Sequence, residues 1–89
     1  MTKYVIDGAA MVTRAAAHNE LTRALELDDF YGRNLDALWD EATSMHGEAV
    51  LVNPAPMLNG LEAYGCKLLQ TLYEAAQKNP HFVFRVEGE

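Results

Sequence analysis

Residues 48–53 read EAVLVN, an almost unbroken apolar run rich in β-branched residues and closed by Pro54 and Pro56. A strand with one face in water alternates in polarity. This one does not, so it reads as a strand buried in a sheet. Lys3 to Asp7, KYVID, stops at Gly8 and predicts a first strand; residues 81–86, HFVFRV, predict a last one. From about Thr13 to Leu25 the pattern is helical, with Thr13 as N-cap and Ala17, Leu21, Ala24 and Leu25 on one face. Asn34 is a good N-cap for a second helix, which Gly47 ends; its apolar stripe is Leu35, Leu38, Trp39, Ala42 and Met45. Residues 54–60 predict a short irregular or helical turn. A third main helix runs from about Leu61 to Lys78, with Leu61, Tyr64, Leu68, Leu69, Leu72, Ala75 and Ala76 inward and Glu74 pointing away, and Asn79-Pro80 ends it. Strands separated by helices pair in parallel through right-handed crossovers. The chain is therefore predicted to be α/β, a three-stranded parallel sheet with packed helices, in one domain over residues 1–89.

The composition, 49% hydrophobic and 22% charged, argues against disorder. No apolar run approaches the ~18 residues of a membrane span. The opening MTKYVIDGAA lacks a basic segment followed by an apolar one, so no signal peptide is expected. Cys66 is the only cysteine, which excludes an intrachain disulfide and points to a reducing cytoplasm. It lies beside the apolar stripe of the third helix and reads as a buried or half-buried structural thiol.

The formal net charge is −6, and it is localised. Glu26, Asp28, Asp29, Asp36, Asp40, Glu41 and Glu48 are accompanied by one base, Arg33, while the rest of the chain is balanced. Such a patch steers cationic partners and disfavours direct binding of nucleic acid. Within it, FYGRNLDALWDEAT places Asp36 and Asp40 one helical turn apart on the solvent side, with Trp39 at the edge of the buried stripe. Like charges at this spacing cost about 0.2–0.5 kcal/mol. A solvated face usually pairs its acids with Lys or Arg four residues on; this one does not, and an aromatic beside unpaired charge is the composition of an interaction hot spot.

Other chemistries find little support. No strand is followed by GxGxxG or GxxxxGK[ST]. His18, His46 and His81 are far apart in sequence and read as surface or core-edge residues, and Cys66 has no CxxC partner, so no metal site is expected. An acid–base pair of Asp36 and Asp40 would require a deep pocket around both.

FYGRNLDALWDEAT resembles the signature helix of the barstar family, intracellular inhibitors of the secreted ribonuclease barnase. YVIDG, His18, the Leu21–Leu25 spacing, EAVLVN and LLQTLYEAAQ fall in equivalent order, so the resemblance covers nearly the whole chain, with NPAPMLNG a few residues shorter. It implies a barstar-like fold and an inhibitor that plugs a ribonuclease active site with a helix and its preceding loop. Asp40 matches the aspartate that mimics substrate phosphate, and Asp36 the one that pairs with a basic residue of the enzyme. Glu74 matches a glutamate making a further ion pair, and Phe30 the aromatic that stacks on the catalytic histidine. Gly32, Asn34, Leu35 and Ala37 match binding-edge positions, and Trp39 the tryptophan packed behind the helix. The implied partner is a small basic extracellular ribonuclease, guanyl-specific and bound 1:1, and the implied protein is not an enzyme and needs no cofactor.

Three departures stand out. Phe30 replaces the usual tyrosine, Arg33 puts a cation in the binding loop, and Met45 stands where the family has a second interfacial tryptophan. They point to a related but different ribonuclease. The competing reading is a barstar-like interaction or immunity protein for another toxin, or one with no ribonuclease partner.

Overall fold

In the computed structural model, which describes residues 1–88, the apolar run becomes β2 (Gly47–Val52). It is the middle strand of a parallel sheet between β1 (Lys3–Asp7) and β3 (Phe82–Glu87), as the order of elements predicts. Ala49 and Leu51 face the core with Ile6, Phe82 and Phe84. Among the described residues no helix covers the opposite face: Val5 and Val83 are exposed there. Val50 belongs to that open face yet is 1% exposed. Val5 and Arg85 flank it in register, and Arg85 reaches across to Glu48 on β2 (Nε–Oε2 2.8 Å) and along its own strand to Glu87. The run is thus apolar throughout because a central strand is shielded by its neighbours, not because helices cover both faces. Gly47 opens β2 at φ 152°, and a Cβ there would stand 2.7 Å from both the Thr2 carbonyl oxygen and the Tyr4 ring.

Four helices pack on the inner face. α1 (Arg14–Leu25) is capped by Thr13, whose hydroxyl accepts the Ala16 N–H, and it buries the four residues expected. α3 (Pro54–Leu61) shows that the expected turn is a full helix, with Pro54 at its start. Glu62, at φ 55°, breaks the chain before α4 (Ala63–Lys78), which therefore begins two residues later than its apolar pattern suggests. No helix among the described residues is long and apolar enough to cross a membrane.

α2 (Leu35–Ala42) differs from expectation: it ends before Met45, and Gly47 lies in the strand. Local hydroxyls stop it. Thr43 Oγ1 donates to the carbonyls of Trp39 (2.8 Å) and Asp40 (3.2 Å), and Ser44 Oγ to that of Asp40 (3.1 Å). Such bonds compete with the helical ladder and favour an end. A long-range tie completes it. Asn79, buried after α4, donates from Nδ2 to the carbonyls of Ala42 (3.1 Å) and Met45 (2.8 Å), and its Oδ1 accepts the His81 N–H (2.9 Å). One amide uses both of its N–H donors and its acceptor oxygen, and so fixes the end of α2 to the start of β3.

Two further buried polar residues sit on α1. Glu20 accepts the Asp7 N–H (2.8 Å) and is chelated by Arg23, which holds its carboxyl below the usual carboxylate range and joins α1 to the end of β1. His18 is buried, contrary to the surface or core-edge reading. Its Nδ1 lies 2.8 Å from the Tyr31 hydroxyl and its Nε2 2.8 Å from the Tyr64 hydroxyl. A neutral imidazole donates to one of these and accepts from the other. Burial, and then the Arg33 charge, hold His18 below the ordinary histidine value.

Two predictions follow from these ties. Asn79→Ala should lower unfolding stability by about 1–3 kcal/mol, because the Met45 carbonyl loses its donor and the buried Ala42 carbonyl keeps only the Met45 N–H; chemical denaturation measures it. For His18 the unfolded chain takes up a proton at a higher pH than the native one, so stability is full above the ordinary histidine value and falls as pH drops through it toward the native value. The slope is at most about 1.4 kcal/mol per pH unit. His18→Gln should abolish that slope while sparing the acid-range loss from Asp7, Glu20 and Glu48, whose carboxyls are also held low and titrate at still lower pH.

Candidate protein-docking surface

The loop between α1 and α2 is held from beneath and open above. Asp28 Oδ1 accepts the Phe30 N–H (2.9 Å), and the Asp28 carbonyl accepts the Tyr31 N–H (3.2 Å). Tyr31 then turns inward to His18 and is 6% exposed, whereas Phe30 is thrown outward and is 94% exposed. Burial first, and Tyr64 second, push the Tyr31 phenol well above its ordinary value, so it remains a hydroxyl. A fully solvated phenylalanine on an anchored loop leaves apolar area for a partner to cover.

Arg33 follows at φ 57°, and Asn34 then caps α2 by accepting the Ala37 N–H on Oδ1 (2.7 Å), as the sequence predicts. At Gly32, an added Cβ would meet the Ala37 Cβ at 3.1 Å, so the loop crosses close over the first turn of the helix. Leu35, Ala37 and Trp39 are half-buried against the core, with Leu38 and Ala42 fully buried beneath.

Asp36 and Asp40 are both exposed. Among the described residues neither carboxylate takes part in a salt bridge or accepts a hydrogen bond. Asp36 lies in the first helical turn, where the helix dipole favours an anion; Asp40 lies near the other end, where it does not. Glu74 is exposed on α4, with Gln70 Nε2 donating to Oε2 (2.7 Å). α4 packs beside α2 and runs in the same direction: Tyr64 borders the cleft at the start of α2, and Asn79 binds its end. Phe30, Gly32, Asn34, Leu35, Asp36, Ala37, Trp39 and Asp40 thus share one loop and helix, and Glu74 comes from the neighbouring helix.

Other placements correct the sequence reading. Glu48 does not join the acidic patch; it is paired with Arg85 on the open sheet face. Arg33, the cation of the loop, is held on α1. Its Nη2 donates to the Ala15 carbonyl (3.2 Å) and to Asn19 Oδ1 (2.8 Å), both on α1. Cys66 is exposed rather than buried. His46 and His81, distant in sequence, stack at 4.6 Å between ring centroids. No group of three or more metal-ligating side chains occurs among the described residues.

Beside the start of α2 lies an open cleft of ≈ 460 Å³, lined by Arg14, Ala15, His18, Arg33, Asn34, Leu35, Asp36 and Tyr64. Asp36 is on its rim; Asp40 lies outside it. This cleft is therefore not a pocket built around both aspartates, as an acid–base pair would need. Sequence reasoning missed Tyr31 and Arg14 here. The only local signal was an aromatic pair, Phe30-Tyr31, in a loop that has room to bury one ring.

The family described as Barstar (barnase inhibitor) matches residues 1–88. A Bacillus subtilis (strain 168) protein named "Putative ribonuclease inhibitor YrdF" is 35% identical over 81 residues, covering 88% of this chain and 89% of that protein. The chain belongs to the barstar family.

Proposed function

We propose that the chain inhibits a small, basic, guanyl-specific extracellular ribonuclease, binding 1:1 in the cytoplasm of the producing cell and filling the enzyme's active site with α2 and the preceding loop. The observation that carries this is the pair Asp36 and Asp40: two exposed carboxylates without a cation of their own chain, on a helix held at both ends. A ribonuclease active site is cationic because it binds phosphodiesters. Carboxylates on a rigid support can replace the phosphates with charge-assisted hydrogen bonds and hasten association by long-range attraction. Such steering and a dominant aspartate are established for barnase and barstar themselves, and their magnitudes are that pair's.

In this reading Asp40 takes the place of substrate phosphate, Asp36 pairs with a basic residue of the enzyme, and Glu74 adds an ion pair. Phe30 stacks on the catalytic histidine. Gly32, Asn34, Leu35 and Ala37 form the contacting edge, and Trp39 supports the helix from behind. Met45, half-buried against the core, leaves less aromatic surface at the far end of α2 than the family's second tryptophan provides. That favours a ribonuclease distinct from barnase, and it is also the observation behind the second reading, an immunity protein for a different toxin.

The test is inhibition of a panel of purified guanyl-specific microbial ribonucleases. At least one should be inhibited stoichiometrically. Asp40→Ala should weaken that complex by about 100-fold or more, the scale of a hot spot, and Asp36→Ala less. Both variants bound as tightly as the parent would refute the assignment. Asp40→Ala should at the same time raise the denaturation midpoint, because it removes an anion from the unfavourable end of α2 and relieves repulsion with Asp36.

A further inference from the structure

The open cleft at the start of α2 has the opposite sign from the helix beside it. Arg14 and Arg33 line it, and neither forms a salt bridge among the described residues. Both guanidiniums are positioned by neutral groups. Arg33 spends only Nη2 on its bonds to Ala15 and Asn19, which leaves the Nε and Nη1 donors unused. Arg14 lies over the Tyr64 ring, 4.2 Å from its centroid. That ring is fixed by its hydroxyl to His18 Nε2, and His18 is fixed in turn by Tyr31. The cations are thus oriented by α1, the loop and α4 together, with most of their N–H donors facing no acceptor.

Two unpaired cations beside a surface offered to a basic enzyme slow its approach. They are useful there only if the enzyme brings an anion to them. We infer that the Arg14–Arg33 cleft receives a carboxylate side chain of the bound ribonuclease, so that recognition depends on one acidic residue at the edge of an otherwise cationic enzyme face. This rests on the ribonuclease reading above. A carboxylate fits better than a phosphate, because Asp36 on the rim repels a dianion more strongly than a monoanion, and a planar carboxylate meets a guanidinium edge through two parallel bonds. Asp36 and this cleft would then set the register of docking together: an anion presented outward beside cations that accept one.

The prediction has a sign that general electrostatics does not share. The probe is whichever ribonuclease of the panel the parent chain inhibits most strongly. Neutralising a cation should speed association with a basic enzyme, and Lys3→Gln, at the start of β1, should do only that. Arg14→Gln and Arg33→Gln should also speed association but raise the dissociation rate by about tenfold or more, as loss of a specific charge pair does. Arg14 is exposed and its variant gives up only the stack on the Tyr64 ring, so it should melt close to the parent and still report docking. Replacing each Asp and Glu of the ribonuclease by Asn or Gln should identify one residue with the same effect, non-additive with Arg33→Gln. Dissociation rates unchanged in both arginine variants would overturn the inference while leaving the ribonuclease reading intact. If no ribonuclease of the panel is inhibited, the parent reading fails and this inference fails with it.

Discussion

Two carboxylates one helical turn apart repel each other, and on a helix of eight residues that repulsion has little ladder to resist it. Beside the burial of Leu38 and Ala42, what holds α2 in place is a neutral amide at each end. Asn34 satisfies the N-terminal Ala37 N–H, and Asn79, brought from 37 residues away, satisfies the carbonyls of Ala42 and Met45. Neither tie brings in a cation. A lysine or arginine at the end of the helix would complement its dipole better, but it would also neutralise Asp40. Neutral capping is the solution that keeps both the helix and its charge.

The same logic extends through the surface. The loop before α2 is fastened by Tyr31 onto a neutral His18, which frees Phe30 to stand in solvent. Arg33 is drawn onto α1 by a carbonyl and an amide and not by Asp36. Glu48 and Arg85 pair off on the far face of the sheet, where β2 needs cover for Val50. The result is a layout in which charges needed for fold stability are paired and those on the exposed loop and helix are not: anions on α2, cations in the adjoining cleft.

Much of this was legible in the sequence because it is local. The apolar EAVLVN run, the Thr13 and Asn34 caps and the period of the helices each depend on residues within a turn or two. Asp36 and Asp40 could be assigned to solvent from their angular position alone. What could not be read is what joins distant segments. Asn79 looks like an ordinary helix terminator until its amide meets the end of α2. His18 looks like an isolated histidine until two tyrosines, 13 and 46 residues away, close on it. Cys66 shares the period of the α4 stripe closely enough to look buried, but the helix is rotated so that Leu68 and Leu72 go in and Cys66 stays out. The early end of α2 was half legible: Thr43 and Ser44 are residues that bond back to the helix, and their effect was outweighed in the reading by the apolar period reaching Met45.

The central claim is that Asp40 occupies the space of RNA phosphate in a ribonuclease active site while Asp36 pairs with a basic residue of the enzyme. Its most direct test is competition against a small phosphate ligand. Guanosine 3′-phosphate bound to a ribonuclease that the chain inhibits should be expelled as the chain is added, with the apparent affinity of the chain falling in proportion to nucleotide concentration and no ternary complex forming. Nucleotide that stays bound in a saturated complex would place the inhibitor elsewhere on the enzyme and contradict the account.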